Sequence, residues 1–402
     1  LTSFDLTPEG ARRALQGDAA ATALSDDAVR ERYATVIWNH VTEPGDGVAG
    51  RLVQQVGAVR ALRAVMAPDA ATGHDLTAKE FADGLKRWVP RVAPGAVAVS
   101  LRIAATRGIT ILTRADDAWP AQLNDLREHA PLCLWVRGDP QRLRALTPSV
   151  ALVGARAATS YGEHVARELS AGLVGAGIPV VSGGAYGIDG AAHHAALASG
   201  GLTVALMAGG AERAYPVGHT RLLDDIAEQG VVASEAPCGG VPTKWRFLQR
   251  NRLIAALSSA TVVVEAGWRS GSLNTAAHAV TLNRPLGAVP GPITSAGSSG
   301  THKLMREFGA QCITSADDIR ELLQLSGVRP AAASDDDRPV TDDATRVRDA
   351  LSMRSWRDAG DVARRAGMAH SDVEVILGLL SLGGEVERQA GAWRRIRQVM
   401  RE

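Results

Sequence analysis

The residues best suited to chemistry in this chain gather in short glycine-rich turns. Val153-Gly154-Ala155-Arg156 leads through Thr159-Ser160-Tyr161-Gly162 into a helical pattern carrying Val165, Ala166 and Leu169. A strand end, a glycine that admits close backbone approach and a helix N-terminus make an anion site. Arg156 adds a planar fork suited to phosphate, although a tight turn with a solvated arginine has the same sequence. Ser182-Gly183-Gly184-Ala185-Tyr186-Gly187-Ile188-Asp189 is denser, and its glycines leave several backbone N–H groups open to a phosphate. Asp189 and His193 share a helix face at i and i+4. No nucleophile accompanies them, so they read as a helix-start charge and a packed histidine rather than an acid–base pair.

Lys244-Trp245-Arg246-Phe247-Leu248-Gln249-Arg250-Asn251-Arg252 interleaves four cations with two aromatics. Cations neutralise phosphates and aromatic rings stack on unpaired bases. Phe247 is expected to join the core, while Arg250-Asn251-Arg252 is expected to act on a ligand. A further turn, Val264-Glu265-Ala266-Gly267-Trp268-Arg269-Ser270-Gly271-Ser272, offers hydroxyls and backbone N–H groups beside Arg269. The last is Val289-Pro290-Gly291-Pro292, continuing to Gly297-Ser298-Ser299-Gly300-Thr301. The first turn is not G-x-G-x-x-G, and no acidic residue sits suitably at the next strand end for a ribose. No dinucleotide or other cofactor is expected.

Turns of this kind need strands and helices to hold them. From about Gly108 short apolar runs end in glycines and alternate with helical stretches: Ile109–Leu112, Ser149–Val153, Ile178–Val181, Leu202–Met207, Val231–Ala233, Thr261–Glu265 and Leu286–Val289. This predicts an α/β core with a mostly parallel sheet covered on both faces, its ligand beyond the carboxyl ends of the strands. Residues 1–105 read as a helical domain. Thr77-x-x-Glu80 is a capping box before Phe81, Leu85 and Trp88, and Leu52, Val53, Val56, Val59 and Leu62 form an amphipathic face behind Pro44-Gly45-Asp46-Gly47. Helix, glycine turn and helix fit a helix-hairpin-helix DNA module, but small helical interaction domains look the same and are favoured over DNA contact. The core is expected over 106–327 and an acidic, proline-containing linker over 328–345. Over 346–402, Ser371-x-x-Glu374 predicts a capped helix carrying Val373, Ile376, Leu377 and Leu380, followed by a hairpin; three short helices and a wing make a winged helix.

Composition narrows the classes further. The apolar fraction of 46% supports globular cores, and the net charge of +1 means that any nucleic acid must meet a local patch. No run approaches the ~20 apolar residues of a membrane span. The first residues carry no export signal, so a cytoplasmic protein is expected. Cys133, Cys238 and Cys312 lack metal-ligand spacing, and neither a zinc site nor a disulfide framework is expected.

In this order and register the segments resemble the DNA-processing protein A family (DprA, also called Smf), bacterial mediators of recombination and natural transformation. The similarity runs from Ile109 to about Ile319. Besides the turns above it includes Ala192-His193, Tyr215-Pro216 and Ser234-Glu235. The resemblance implies a dimeric, extended Rossmann-like core without catalytic activity. It would grip single-stranded DNA with little sequence choice and pass it to the recombinase RecA. It places the DNA pocket on Gly154, Arg156, Ser182, Gly183, Gly184, Gly187, Arg250, Asn251, Arg252, Ser270, Gly271 and Ser272, to which charge alone adds Lys244 and Arg269. Leu248, Ala256, Val217 and His219 depart from the family's usual residues, leaving a less cationic rim. The helical domain resembles the family's SAM or helix-hairpin-helix-like accessory modules.

Two other functions compete. A nucleotide-processing phosphoribohydrolase would carry a catalytic Glu on the helix after Ser270-Gly271-Ser272, and none follows through Val280. A nucleotide-sensing regulator would read duplex DNA with a basic recognition helix. The candidate helix Ser371 to Leu382 has Asp372 and Glu374 and no Lys or Arg, so that domain is expected to contact protein, or duplex DNA only weakly.

Overall fold

The computed structural model describes residues 4–67, 73–324 and 343–396. The chain divides into two compact units, Leu1–Ser326 and Gly327–Glu402.

Among the described residues of the first unit, nine strands form one sheet: β1 (Ile109–Thr113), β2 (Cys133–Gly138), β3 (Val150–Val153), β4 (Val180–Ser182), β5 (Thr203–Met207), β6 (Val231–Ser234), β7 (Ala260–Val263), β8 (Leu286–Ala288) and β9 (Gln311–Cys312). Their order is β1-β2-β6-β5-β4-β3-β7-β8-β9. From β6 to β9 every pairing is parallel, whereas β2 runs antiparallel to both neighbours. All seven expected apolar runs contribute strands, with β2 and β9 in addition.

Successive residues of a strand face opposite sides, and both sides of β3 are covered. Val150 and Leu152 pack with Ala166, Leu169 and Leu173 of the helix Ser160–Gly175 and with Ile188, Ala192 and Ala196 of the helix Ile188–Ala198. Ala151 and Val153 belong with Leu253, Ile254 and Leu257 of the helix Lys244–Leu257 and Ala276 of the helix Ser272–Thr281.

Among the described residues six α-helices precede the sheet: Pro8–Ala14, Asp26–Val41, Gly47–Val56, Ala58–Met66, Ala78–Trp88 and Pro94–Arg107. The Thr77 box forms, with Glu80 N–H donating to Thr77 Oγ1 at 3.2 Å and Thr77 N–H to Glu80 Oε2 at 3.0 Å. These helices share a core with the edge of the sheet. Trp38 and Trp88 meet edge to face at 5.2 Å, in one cluster with Ile109, Ile111, Cys133 and Trp135. The alternate residues Leu112, Leu134 and Val136 join the core that contains β3. The β1–β2 pair is thus a two-faced wall between the helical layer and the rest of the sheet.

The second unit has its own core, built on Val347, Val362, Val373, Leu377, Leu380, Val386 and Trp393. Helices Asp343–Ala350, Ala359–Ala366 and His370–Leu382 accompany a three-stranded antiparallel sheet of β10 (Arg357–Asp358), β12 (Ala392–Arg395) and β11 (Val386–Gln389), in that order. The helix expected to open on a Ser371–Glu374 box begins instead at His370, with Ala369 at the N-cap and no side-chain cap. Ser371 Oγ donates to Asp372 Oδ1 at 3.3 Å. Of the expected linker, 328–342 lies outside the described residues, while from Asp343 the chain is helical.

Candidate nucleic-acid interface

Strand β3 is followed by the helix Ser160–Gly175 on one face of the sheet, and its neighbour β7 by the helix Ser272–Thr281 on the other. Chains that leave adjacent parallel strands in opposite directions open a crevice at the strands' carboxyl ends. A cleft of about 810 Å³ lies there. Its walls are Gly154, Ala155 and Arg156 after β3, Arg269 to Ser272 after β7, and Lys244, Phe247, Arg250 and Asn251 of the helix Lys244–Leu257, with Tyr215, Ala185 and Asp189 alongside.

Phe247 is the pivot of this cleft. Expected in the core, it stands half-buried in the wall, because three residues of helix turn it through about 300° from Lys244 and return it to the same face. The Arg156 guanidinium lies 4.6 Å from its ring centroid and the Arg250 guanidinium 5.7 Å away. Tyr215 packs against it at 5.5 Å. A cation over an aromatic face is held by the ring's quadrupole while its N–H edge stays available. Arg156, Lys244 and Arg269 are exposed, and among the described residues none of them has a carboxylate at ion-pair distance.

The second glycine turn behaves differently. Its amides point at the chain's own carboxylate: Gly183 N–H donates to Asp189 Oδ2 at 3.2 Å and Ala185 N–H at 3.5 Å. Asp189 therefore occupies the nest in which a phosphate was expected. Burial pushes its carboxyl pKa up, opposed by Arg250 and by these N–H donors. Arg250 lies beneath the cleft, donating Nη1–H to Leu206 O at 3.1 Å, with Nε unpartnered. Burial draws its pKa down to about 10. A side chain on Gly183 would overlap the Arg250 guanidinium, and Gly187, at φ +73°, lies against the carbonyls of Ala155 and Arg156. Gly184, at φ +66°, faces Leu223 and Met207, and Ser182 Oγ donates to Leu152 O at 2.6 Å. These four residues shape the floor of the cleft; they do not line it.

Arg250, Asn251 and Arg252 also part company. Consecutive helical residues are turned by about 100°, so three in a row cannot face one ligand. Asn251 reaches across the cleft, donating Nδ2–H to Gly271 O and Asn274 Oδ1, each at 3.2 Å. Arg252 turns away. Both its η nitrogens grip Glu235 at 2.7 Å, and its other N–H groups go to His129 O and Gln249 O. Its charge is spent inside the protein. Arg246 is likewise held, by Glu43. The Ser270 and Ser272 hydroxyls meet at 2.8 Å in the opposite wall, and Gly271 has open space where a side chain would stand.

The remaining titratable groups are packed. His193 Nδ1 meets Thr203 Oγ1 at 2.7 Å, and burial first, then the neighbouring His219, His194 and Arg250, depress its pKa to about 3. His219 Nδ1 meets Gly184 O at 3.0 Å. Glu265 accepts Thr159 N–H at 2.9 Å, bracing the start of a helix outside the cleft. Among the described residues no group of three His, Cys, Asp or Glu could hold a metal ion, and no helix is long and apolar enough to cross a membrane.

Comparison with known proteins places this geometry. The DNA processing protein DprA of Mycobacterium tuberculosis is 43% identical over 377 residues, which is 89% of this chain and 93% of that relative. The X-ray structure of DprA from Streptococcus pneumoniae matches with a TM-score of 0.55 at 30% identity, covering 72% of this chain and 96% of that one. A Helicobacter pylori structure described for its single-stranded DNA binding mode matches at 29% identity, with a TM-score of 0.49, over 54% of this chain and 96% of that one. The model of the family described as DNA recombination-mediator protein A matches residues 110–324 of the 402. With that span and a relative matched over nearly its whole length, the chain belongs to the DNA recombination-mediator protein A family.

Proposed function

We propose that the cleft binds single-stranded DNA without strong sequence preference, and that the protein passes the strand to RecA in recombination and natural transformation. The observation that carries this reading is Phe247 with its bound Arg156, standing among the unpaired cations Lys244 and Arg269 at the sheet's switch point. Three cations can neutralise a backbone while an aromatic face takes an unpaired base. Tyr215, 44% exposed and packed on Phe247, extends that surface. Base faces are stacked inside a duplex, so such a platform favours single strands. Asp189 and His193 face backbone amides and Thr203 rather than a ligand, and the helix Ser272–Thr281 carries no acidic residue. Both features suit binding without catalysis or cofactor.

Within this reading Arg156, Lys244, Arg269, Asn251 and the Ser270–Ser272 turn meet the strand. Gly154, Ser182, Gly183, Gly184, Gly187, Arg250 and Arg252 set the shape that receives it. The reading further includes a homodimer through the Rossmann-like core, contact with RecA and a cytoplasmic location, for which family membership is the support. The helical segment 1–105, the core 106–327 and the segment 346–402 are read as separate functional parts. Three helices and a small sheet support a winged helix for the last. Its helix His370–Leu382 has no Lys or Arg and exposes Val375, Leu379 and Leu382, which suits a protein contact better than duplex DNA.

A titration with single- and double-stranded oligonucleotides at several salt concentrations tests this proposal. Single strands are expected to bind more tightly, with a slope that flattens by about 0.7 for each phosphate contact removed in Arg156→Ala, Lys244→Ala or Arg269→Ala. Equal affinity for duplex, or three unchanged slopes, would overturn it.

A further inference from the structure

Two carboxylates outside the cleft hold the helix that carries it. Glu43 follows the helix Asp26–Val41 and accepts Arg246 Nε–H and Nη2–H, each at 3.0 Å, while also pairing with Arg91 at 2.5 Å. Glu235, 6% exposed, grips Arg252 and accepts Gly45 N–H at 3.3 Å; its backbone carbonyl accepts Asn39 Nδ2–H at 2.8 Å. His129 Nδ1 meets Gly45 O at 2.9 Å while its own carbonyl receives Arg252. Gly45, at φ +80°, lies so close to Gln249 that a side chain would collide with it and crowd Arg252. The Pro44-Gly45-Asp46-Gly47 turn, which could have offered its amides to DNA, is instead seated on the face of the helix Lys244–Leu257 turned away from the cleft.

That helix needs an outside hold. Thr243 caps it through Arg246 N–H at 3.2 Å, yet Thr243, Lys244 and Trp245 are exposed, and exposed first turns open most easily. Glu43 brings negative charge to the first turn, where the helix dipole favours it. On the same turn, 200° apart at about 100° per residue, Lys244 faces the cleft and Arg246 faces Glu43. The pairing therefore decides which of the two cations is left for a phosphate.

We propose that the N-terminal helical segment is a positioning element of the cleft. Glu43 through Arg246, and the Gly45 turn seated on the core's own Glu235–Arg252 pair, fix the helix that presents Lys244, Phe247 and Asn251. This rests on the single-strand reading for its functional consequence, while its structural half stands without DNA.

The full chain is compared with Glu43→Gln, Arg246→Met and Arg246→Lys in two measurements. Without DNA, amide hydrogen exchange over residues 243–248 is expected to quicken in Glu43→Gln and Arg246→Met, with the sheet strands unchanged. With a fluorescent oligothymidylate, both variants are expected to lose up to about fivefold in affinity at an unaltered salt slope, and Arg246→Lys, which keeps its charge toward Glu43, to recover most of it. Tighter binding with a steeper slope in Glu43→Gln would overturn the proposal, making Arg246 a phosphate contact held in reserve. Unchanged exchange in both variants would also overturn it, as would exchange that quickens across the whole sheet. A wild type that fails to bind the oligonucleotide sinks the single-strand reading, and the exchange result still decides the positioning role.

Discussion

The guanidinium of Arg156 rests 4.6 Å from the ring centroid of Phe247, and this contact joins the loop after β3 to the helix Lys244–Leu257 across the mouth of the cleft. It pre-orders a long side chain whose free rotation would otherwise be lost on binding, while its N–H groups remain unspent. The same ring faces Arg250 beneath it, so one aromatic side chain aligns an exposed cation with a buried one.

Removing either partner should weaken single-strand binding in distinguishable ways. Arg156→Ala is expected to lower affinity and flatten the salt slope by about 0.7. Phe247→Leu keeps apolar bulk but loses the aromatic face; it should cost about 1–3 kcal/mol of binding with little change in slope. Fluorescence anisotropy across a salt series separates the two, and equal slopes for both variants would refute the assignment.

Two glycines test whether the turns are shaped by their surroundings. In Gly183→Ala the new Cβ would overlap the Arg250 guanidinium, which is buried and bonded to Leu206 O. Overpacking there should cost about 1–3 kcal/mol. Gly271→Ala meets open space at φ −62° and should stay within about 0.5 kcal/mol of wild type. Urea unfolding of both variants provides the comparison; equal losses would show that Arg250 has room to move.

Arg252 should behave as an internal ion. Arg252→Met leaves Glu235 buried and unpaired, and a loss of about 3–5 kcal/mol of folding stability is expected. Glu235→Gln in the same chain should return part of it. The binding slope of any folded Arg252 variant should match wild type, whereas Lys244→Ala flattens it. A flattened slope for Arg252 would place its charge at the DNA after all.

Acid should destabilise the fold through buried histidine. Burial holds His193 near pKa 3 against an ordinary 6.5, so between those values the unfolded chain binds a proton that the folded chain refuses. Stability is retained above pH 6.5 and falls as pH drops toward 3, at about 1.4 kcal/mol per pH unit for one group. His40, held near 4 by burial and by Arg91 and Arg246, adds to the fall over its own range. Unfolding midpoints of wild type and His193→Asn from pH 7 to 4 should converge as the pH drops; parallel curves would exclude His193 as a source.

Much of the architecture was legible in the chain before any coordinates. Apolar runs such as Val150–Val153 and Thr203–Met207, each closed by glycine or followed by a helical period, can be buried on both faces only in a covered parallel sheet. The glycine turns fall where the strands end, because only there must backbone pass close to backbone. β2 escaped notice because its antiparallel pairing, unlike a βαβ unit, leaves no alternating helix to mark it.

The identity of the working charges was decided by tertiary structure alone. Lys244 and Arg246, or Arg250 and Arg252, are equivalent as letters. They differ because a helix turns neighbours apart, because Glu43 returns from a distant part of the chain to claim Arg246, and because Asp189, six residues past Gly183, folds back onto the glycine amides. Glu43 lies 203 residues from Arg246, a separation at which no local pattern carries information. The sequence by itself determined that a glycine-rich edge would lie at the carboxyl ends of the strands. Long-range pairing determined that, among the described residues, Arg156, Lys244 and Arg269 are the cations left without a carboxylate at it, since the fold spends Arg246 on Glu43 and Arg252 on Glu235 and buries Arg250 against Leu206 O.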